Sequence, residues 1–320
     1  MDKPLSISGF KRFTLCPKYY DYYDNEGDRP NQNSSPLAIG TIVDEVVMAK
    51  LEGKQVNFRD LIIPYVGQRL KFKTDDLDLD FVNLPEIEKL ARKLGWKGKD
   101  ISKALKDFMK NQDTLSAKQY EVLSVATWQS LDVKIEAMLE AFDKWIRPKI
   151  KRVISVQEHL DDGVTHGYLD FIAETTDGKT VLFDLKTSKN SYDEDAVLYS
   201  PQLSLYAAMK GIDYAGYIVL VKTLSKNKKK TCKTCNFKKT GGNIKKCPTC
   251  KTVLDFTMKP TTYAQWLVNK VPKYNKDLTK RAMYDTIKCI DNGVFPRNLS
   301  TCNWVFGEPC PYIKKCWRKK

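Results

Sequence analysis

GYLDFIAETTDGKTVLFDLKT, residues 167–187, is the stretch that decides the fold. It holds two β-type runs, YLDFIAET and TVLFDLKT, divided by Thr176, Asp177 and Gly178, turn residues that suit a hairpin. With a three-residue loop over 176–178, residues whose numbers sum to 354 pair, and Asp170 lies opposite Asp184. Asp184 and Lys186 are two apart on a strand and project from one face, which turns Leu185 into the core. A slip of one residue would spoil this. Two facing carboxylates repel unless a cation lies between them, so the pattern asks for a divalent metal with a lysine alongside.

Working outward, VISVQ from Val153 is a further β-type run. A helix over 198–210, the strand YAGYIVLVK, the strand TVLDFTM and helices across 262–292 follow the hairpin. The first half is mainly α. A helix over 40–51 carries the apolar stripe Ile42, Val43, Val46 and Val47, with Thr41 as its cap. Helix-period segments over 86–112 and 116–147 are broken at 95–98 and ended by Pro148, and the acidic, poorly periodic stretch 59–85 reads as an insertion. The organisation expected is an α/β fold: a mainly helical part over 1–150 joined to a sheet-bearing part over 151–320, together one integrated domain.

A formal net charge of +15 and a pI near 9.2 favour a polyanionic partner, nucleic acid first. No apolar run is long enough for a membrane span and the start has no signal-peptide build, so the expected location is cytoplasmic. In that reducing compartment, nine cysteines point to metal ligation or catalysis rather than disulfides.

The chemistry that uses facing carboxylates and a lysine is phosphodiester hydrolysis. Hard oxygen ligands hold Mg²⁺ or Mn²⁺, which polarises the phosphate and acidifies the attacking water, while Lys186 orients that water or stabilises charge on phosphorus. A bare Asp-x-Lys is a weak signal, since a solvated salt bridge gives the same letters. Its company strengthens it: Gly167 to Asp170 before the turn, and Gln202 with Tyr206 on one face of the next helix.

In this order of motifs the chain resembles the RecB-type branch of the PD-(D/E)XK nucleases, the group of the RecB and AddB nuclease domains and the CRISPR-adaptation nucleases. The resemblance spans nearly the whole chain. That family's G-x-x-x-H, G-x-x-D, D-x-K and Q-x-x-x-Y fall here on Gly40 to Asp44, Gly167 to Asp170, Asp184 to Lys186 and Gln202 to Tyr206. Asp44 stands where the family usually has histidine, and a carboxylate ligates Mg²⁺ as well. The alternative for Asp44 is a helix-start charge favourable to the dipole. The resemblance implies a restriction-endonuclease-like core and a metal set of Asp44, Asp170, Asp184 and Leu185. Asp170, Asp184, Lys186, Gln202 and Tyr206 would be the catalytic residues, with Gln202 and Tyr206 facing DNA or bracing the site. Glu158 is a weaker candidate for an acidic role nearby, and His159 and His166 lack metal-ligand spacing.

Two C-x-x-C knuckles, Cys232 with Cys235 and Cys247 with Cys250, have the spacing of a zinc ribbon held at the tip of an extended hairpin. Residues 222–251 carry eleven lysines and no Asp or Glu. Lys228, Lys229, Lys230, Lys238, Lys239, Lys245 and Lys246 of the insert 228–251 are the candidate DNA contacts, the alternative being a solvated stabilising knob.

Cys16 with Cys302, Cys310 and Cys316 matches the resembling nucleases that carry a 4Fe-4S cluster, in which one cysteine precedes the core and three follow it. The tail 293–320 would then be stapled to the start, with Tyr19, Tyr20, Trp304, Tyr312 and Trp317 as shielding aromatics. A second zinc site and unligated thiols are the alternatives, and Cys289 reads as a small core residue. The whole points to a DNA nuclease, an exonuclease working on ends or single strands with a helicase or recombination partner. The competing reading is a non-catalytic nucleic-acid-binding protein.

Overall fold

The computed structural model describes residues 4–30, 33–231, 234–235, 237–240, 246–251, 255–302 and 310–317. A two-residue strand, β1 (Leu5–Ser6), leads into α1 (Ile7–Leu15), capped by the Ser6 hydroxyl, which accepts the Gly9 N–H at 2.9 Å. Pro17 opens the short α2 (Pro17–Tyr20).

The next helix, α3 (Ser35–Leu51), starts before the expected residue 40. Its N-cap is Ser34 and its first turn contains a proline, whose missing N–H has no partner to lose there. Thr41 therefore does not cap it; the hydroxyl instead donates to the Leu37 carbonyl at 3.1 Å. The stretch expected to be an insertion contains α4 (Phe58–Val66), capped by Asn57 and burying Phe58 and Ile62. Its shortness and its internal Pro64 conceal the period. Then come α5 (Leu84–Lys93), α6 (Ile101–Lys110) and α7 (Ala117–Ala141), the last opened by a reciprocal capping box between Ser116 and Gln119.

The strands follow as β2 (Ile150–Asp161), β3 (Thr165–Thr175) and β4 (Thr180–Ser188), then α8 (Pro201–Lys210) and β5 (Tyr214–Val221). The register of β3 with β4 is Phe171 to Phe183, Ile172 to Leu182, Ala173 to Val181 and Glu174 to Thr180, each summing to 354. The turn works because Gly178 takes φ +81° and returns its N–H to the Thr175 carbonyl at 3.0 Å. Beyond β5, β6 (Ser225–Thr231), β7 (Lys238–Thr240) and β8 (Asp255–Thr261) make a separate three-stranded sheet. Of the expected strand TVLDFTM, residues 252–254 lie outside the described residues.

The stretch 264–270 corrects the expectation of helices across 262–292. It is β9 (Ala264–Lys270), antiparallel to β5, and only after it comes the helix α9 (Lys273–Asp291). Six successive half-buried side chains there fit an edge strand better than one helical stripe. The tail closes with α10 (Ile313–Trp317).

The main sheet runs β1-β3-β4-β5-β9, with β2 on the other edge of β3. On one face, Phe171, Phe183, Leu185 and Ile218 pack with buried residues of α3 to α7; on the other, Ile172, Leu182, Tyr217 and Val219 pack with α1, α8 and α9. Alternate strand residues thus feed two cores. β1 pairs β3 only at residues 165–166 and β4 pairs it only at 171–174. Residues 167–170 on that edge, among the described residues, form no ladder pair. The sheet is open where Asp170 stands.

Candidate active site

The unpaired edge of β3 is closed by a side chain: the Asp170 carboxylate accepts the Leu185 N–H at 2.6 Å. This bond leashes the two strands and holds Asp170 beside Asp184. Asp184 is 2% exposed, so both of its oxygens need partners. Oδ1 accepts from the Gln202 side-chain amide at 2.7 Å. Oδ2 forms an ion pair with the Lys186 ammonium, yet no hydrogen bond of proper angle reaches it. The ion pair supplies charge without the directed bond.

The electrostatics follow from this crowding. Burial, the charge of Asp184 and, more weakly, that of Asp44 push Asp170 up to about 8, against the relief given by the Leu185 N–H and Lys186. Asp44 is raised by burial and by Asp184, with the Gln157 side chain hydrogen-bonding it in opposition. For Lys186 burial pulls downward, but Asp184 outweighs it and the ammonium stays charged. Asp44 is thus placed with the other carboxylates, from the middle of α3 rather than from its dipole-bearing start. Among the described residues these three carboxylates do not reach within 4.8 Å of one another.

Gln202 and Tyr206 share the buried face of α8, which Ser200 caps and Gly211 ends in the left-handed region. The Tyr206 hydroxyl fills the space above Gly167, where an added Cβ would stand 2.2 Å from it. Only glycine leaves that room. Burial and both Asp184 and Asp170 hold the phenol far above its usual range, so Tyr206 is a neutral brace. Gly40 is different: a Cβ there meets only Thr187 Oγ1, at 3.6 Å.

Two site residues were missed. Lys11 of α1 donates to Gln202 Oε1 at 2.7 Å, a contact across 191 residues that no local pattern announces. Gln157, which hydrogen-bonds Asp44, sits in β2 at φ +50° between Val156 and Glu158, the partners of Phe171 and Leu169. Glu158 turns away to Lys210, 2.6 Å distant. His159 packs at a tilt against Tyr168 with ring centroids 4.8 Å apart, and the His166 ring lies 5.9 Å from that of His159.

The cysteines separate into two sets. Cys235 lies 3.4 Å from Cys247 and 3.6 Å from Cys250, and all three sulphurs meet within 4.8 Å, the spacing of ligands around one metal ion. Burial alone would raise the Cys247 thiol, but N–H groups of Cys250 and Thr249 lower it toward the thiolate that ligation needs. Cys232 and Lys245 lie outside the described residues, as do the side chains of Lys228, Lys229, Lys230, Lys238 and Lys239; Lys246 is exposed.

At the chain ends, Cys16 and Cys316 are buried with Tyr19, Tyr22 and Tyr312, and Cys310 packs against them. Burial chiefly, then Cys302, Cys16 and Cys316, raise the Cys310 thiol, so the four are neighbours. No three of their sulphurs come within 4.8 Å of one another. Of the expected shield, Tyr20 instead packs in the core beside Phe13, Trp304 lies outside the described residues and so does the Trp317 side chain. Cys289 is half-buried against the α1, α8 and α9 core.

A mixed sheet between helical layers, with neighbouring carboxylates where β3 lacks a ladder partner, an Asp-x-Lys strand and a Gln-x-x-x-Tyr helix, defines a nuclease-type protein. The chain belongs to the PD-(D/E)XK nuclease superfamily, whose family model matches residues 4–316. No curated protein matches it. Among solved structures, "Crystal structure of SSO0001" aligns over 68% of this chain and 89% of that one at 12% identity, with a TM-score of 0.26, a likeness too slight to argue from. No described helix is long and apolar enough to cross a membrane.

Proposed function

We propose that the protein is a Mg²⁺- or Mn²⁺-dependent deoxyribonuclease that hydrolyses phosphodiester bonds at DNA ends or in single strands. One observation carries this: the buried Asp184 carboxylate, ion-paired with Lys186, is crowded by Asp170 and Asp44, both raised by burial and by the charge of Asp184. Three carboxylates brought together and largely desolvated are costly to keep charged, and a divalent cation would relieve their mutual repulsion. Asp184, Asp170, Asp44 and the main chain at Leu185 would hold the metal. When bound, it supplies Lewis-acid activation of the phosphate and of water.

The chain's own residues do the rest. Lys186 stabilises charge gathering on the phosphoryl oxygens, and Gln202 keeps Asp184 in one orientation. Tyr206, locked on Gly167, fixes α8 against the sheet.

The terminal cysteines fit a 4Fe-4S cluster better than zinc. Thiolates on one tetrahedral zinc stand about 3.8 Å apart, as geometry requires of a 2.3 Å bond. The neighbouring but wider set suits a polynuclear centre. The Cys235, Cys247 and Cys250 trio has the tighter spacing and, with Cys232, suits zinc. The ribbon lysines would contact phosphates without reading bases. Both halves contribute to one core, which favours a single integrated domain working in the cytoplasm with a helicase or recombination partner.

The test is incubation of the purified protein with end-labelled linear and circular DNA, single- and double-stranded, with Mg²⁺, Mn²⁺ or EDTA. Shortening of linear DNA only with metal, and survival of circles, is the expected result. Cleavage of circles would make it an endonuclease. Intact DNA in every metal would defeat the reading.

A further inference from the structure

Lys11 stands outside every nuclease motif, yet it reaches the motif residues. It sits on α1, which β1 anchors to the start of β3 and whose Phe10 and Phe13 are buried in the core shared with α8. Helix and active site are thus fixed relative to each other. Its ammonium touches Gln202 Oε1 at 2.7 Å, and the amide of that same side chain touches Asp184 at 2.7 Å. Lys11 and Lys186 therefore approach Asp184 from different elements.

The ammonium has no carboxylate partner among the described residues, although it feels the charge of Asp184. A lysine has three donors and this one gives a single bond to a neutral oxygen, so two remain for another acceptor. The residue as a whole is exposed, while its ammonium end is partly desolvated beside Gln202. Burial of the ammonium, then repulsion from Lys186, also lowers its pKa, as expected of a cation short of counter-charge. The acceptor that satisfies such a cation beside a nuclease site is a phosphate oxygen.

We propose that Lys11 is a substrate-binding residue that takes a backbone phosphate of the DNA at the mouth of the site. The proposal rests on the nuclease reading for its substrate, but it is tested by binding as well as by cleavage. Affinity for a short single-stranded oligonucleotide is measured across a salt series with Ca²⁺ in place of Mg²⁺, alongside kcat and KM with Mg²⁺. Loss of one phosphate contact in Lys11→Met should flatten the slope of log affinity against log salt by about 0.7. It should raise KM more than it lowers kcat, and Lys11→Arg should restore the wild-type slope. If Lys11→Met lowers the melting temperature, Lys11→Gln, which keeps a donor for Gln202 but no charge, provides the slope instead.

An unchanged slope in the uncharged variants overturns the proposal. An unchanged slope with a fallen kcat overturns it too, and makes Lys11 a positioning residue for Gln202. If the wild type cleaves nothing with any metal, the nuclease reading fails by itself, and the slope still decides whether Lys11 holds phosphate.

Discussion

The carboxylate site and the cysteine ribbon use opposite strategies of assembly. Lys11, Asp44, Asp170, Asp184 and Gln202 come from α1, α3, β3, β4 and α8, and each is held by tertiary packing. Cys235, Cys247 and Cys250 lie within sixteen residues, inclusive, and meet with almost no other core: Cys247 packs only with Phe237 and Cys250 in its described cluster. The first site inherits its precision from the whole fold. The second brings its own geometry and needs little from the rest. A change in one should therefore leave the other standing.

The largest expected effect is chemical. Asp184→Ala or Lys186→Ala should lower cleavage about a thousandfold or more, with DNA affinity and metal content of the ribbon unchanged. Asp44→Ala should lose less, since it contributes one carboxylate of three. Wild-type cleavage in either of the first two variants would remove the active site from this pocket, and equal losses in all three would make Asp44 a full ligand.

Packing comes next. Gly167→Ala forces a methyl onto the Tyr206 hydroxyl and should cost about 2–3 kcal/mol in denaturant unfolding, with Tyr206→Phe recovering part of it. Gly40→Ala, which meets only Thr187, should fold nearly as well as wild type. Equal costs for the two alanines would show that the two glycines do not differ in the way the structure says.

Proton linkage separates the regions further. Asp170 has a folded pKa of about 8 against an unfolded value near 3.9, so the folded state keeps a proton that the unfolded chain has released. Metal-free protein should thus lose stability as pH rises from about 4 to 8, and Asp170→Asn should make that slope shallower, Asp44 supplying the remainder in the same direction. Mg²⁺ at pH 8 should raise the melting temperature of wild type but much less that of Asp170→Asn. A flat pH profile in metal-free wild type would contradict the burial of charge described for this pocket.

The smallest effect on the core should come from deleting 228–251 and joining the flanking strands by a short turn. Cleavage of short DNA should persist, while affinity falls about tenfold and its salt dependence flattens. An unfolded product would show that the ribbon is part of the fold. Unchanged affinity would reduce it to a solvated knob.

What the sequence discloses follows the same divide between local and assembled features. The β3–β4 register was legible because a turn with one positive-φ glycine and two alternating runs fix it within twenty-one residues. The pairing of Gln202 with Tyr206 was legible for the same reason, being one helical turn. The start of α3 was misread because Ser34 and Pro36 lie outside the apolar stripe, and β9 because AQWLVN buries both of its faces halfway. Lys11 was not legible at all. Its role arises only when α1 and α8 are packed together, a relation that exists in three dimensions and in no window of sequence.

Gln157 shows what such assembly demands of a single residue. Its φ of +50° is uncomfortable for a glutamine, by about 1–2 kcal/mol, and glycine, or asparagine with its short polar side chain, would sit there more easily. Either replacement gives up the long amide that reaches Asp44. The position therefore pits thermal robustness against function: selection for heat resistance should favour Gln157→Gly, and selection for turnover should return the glutamine.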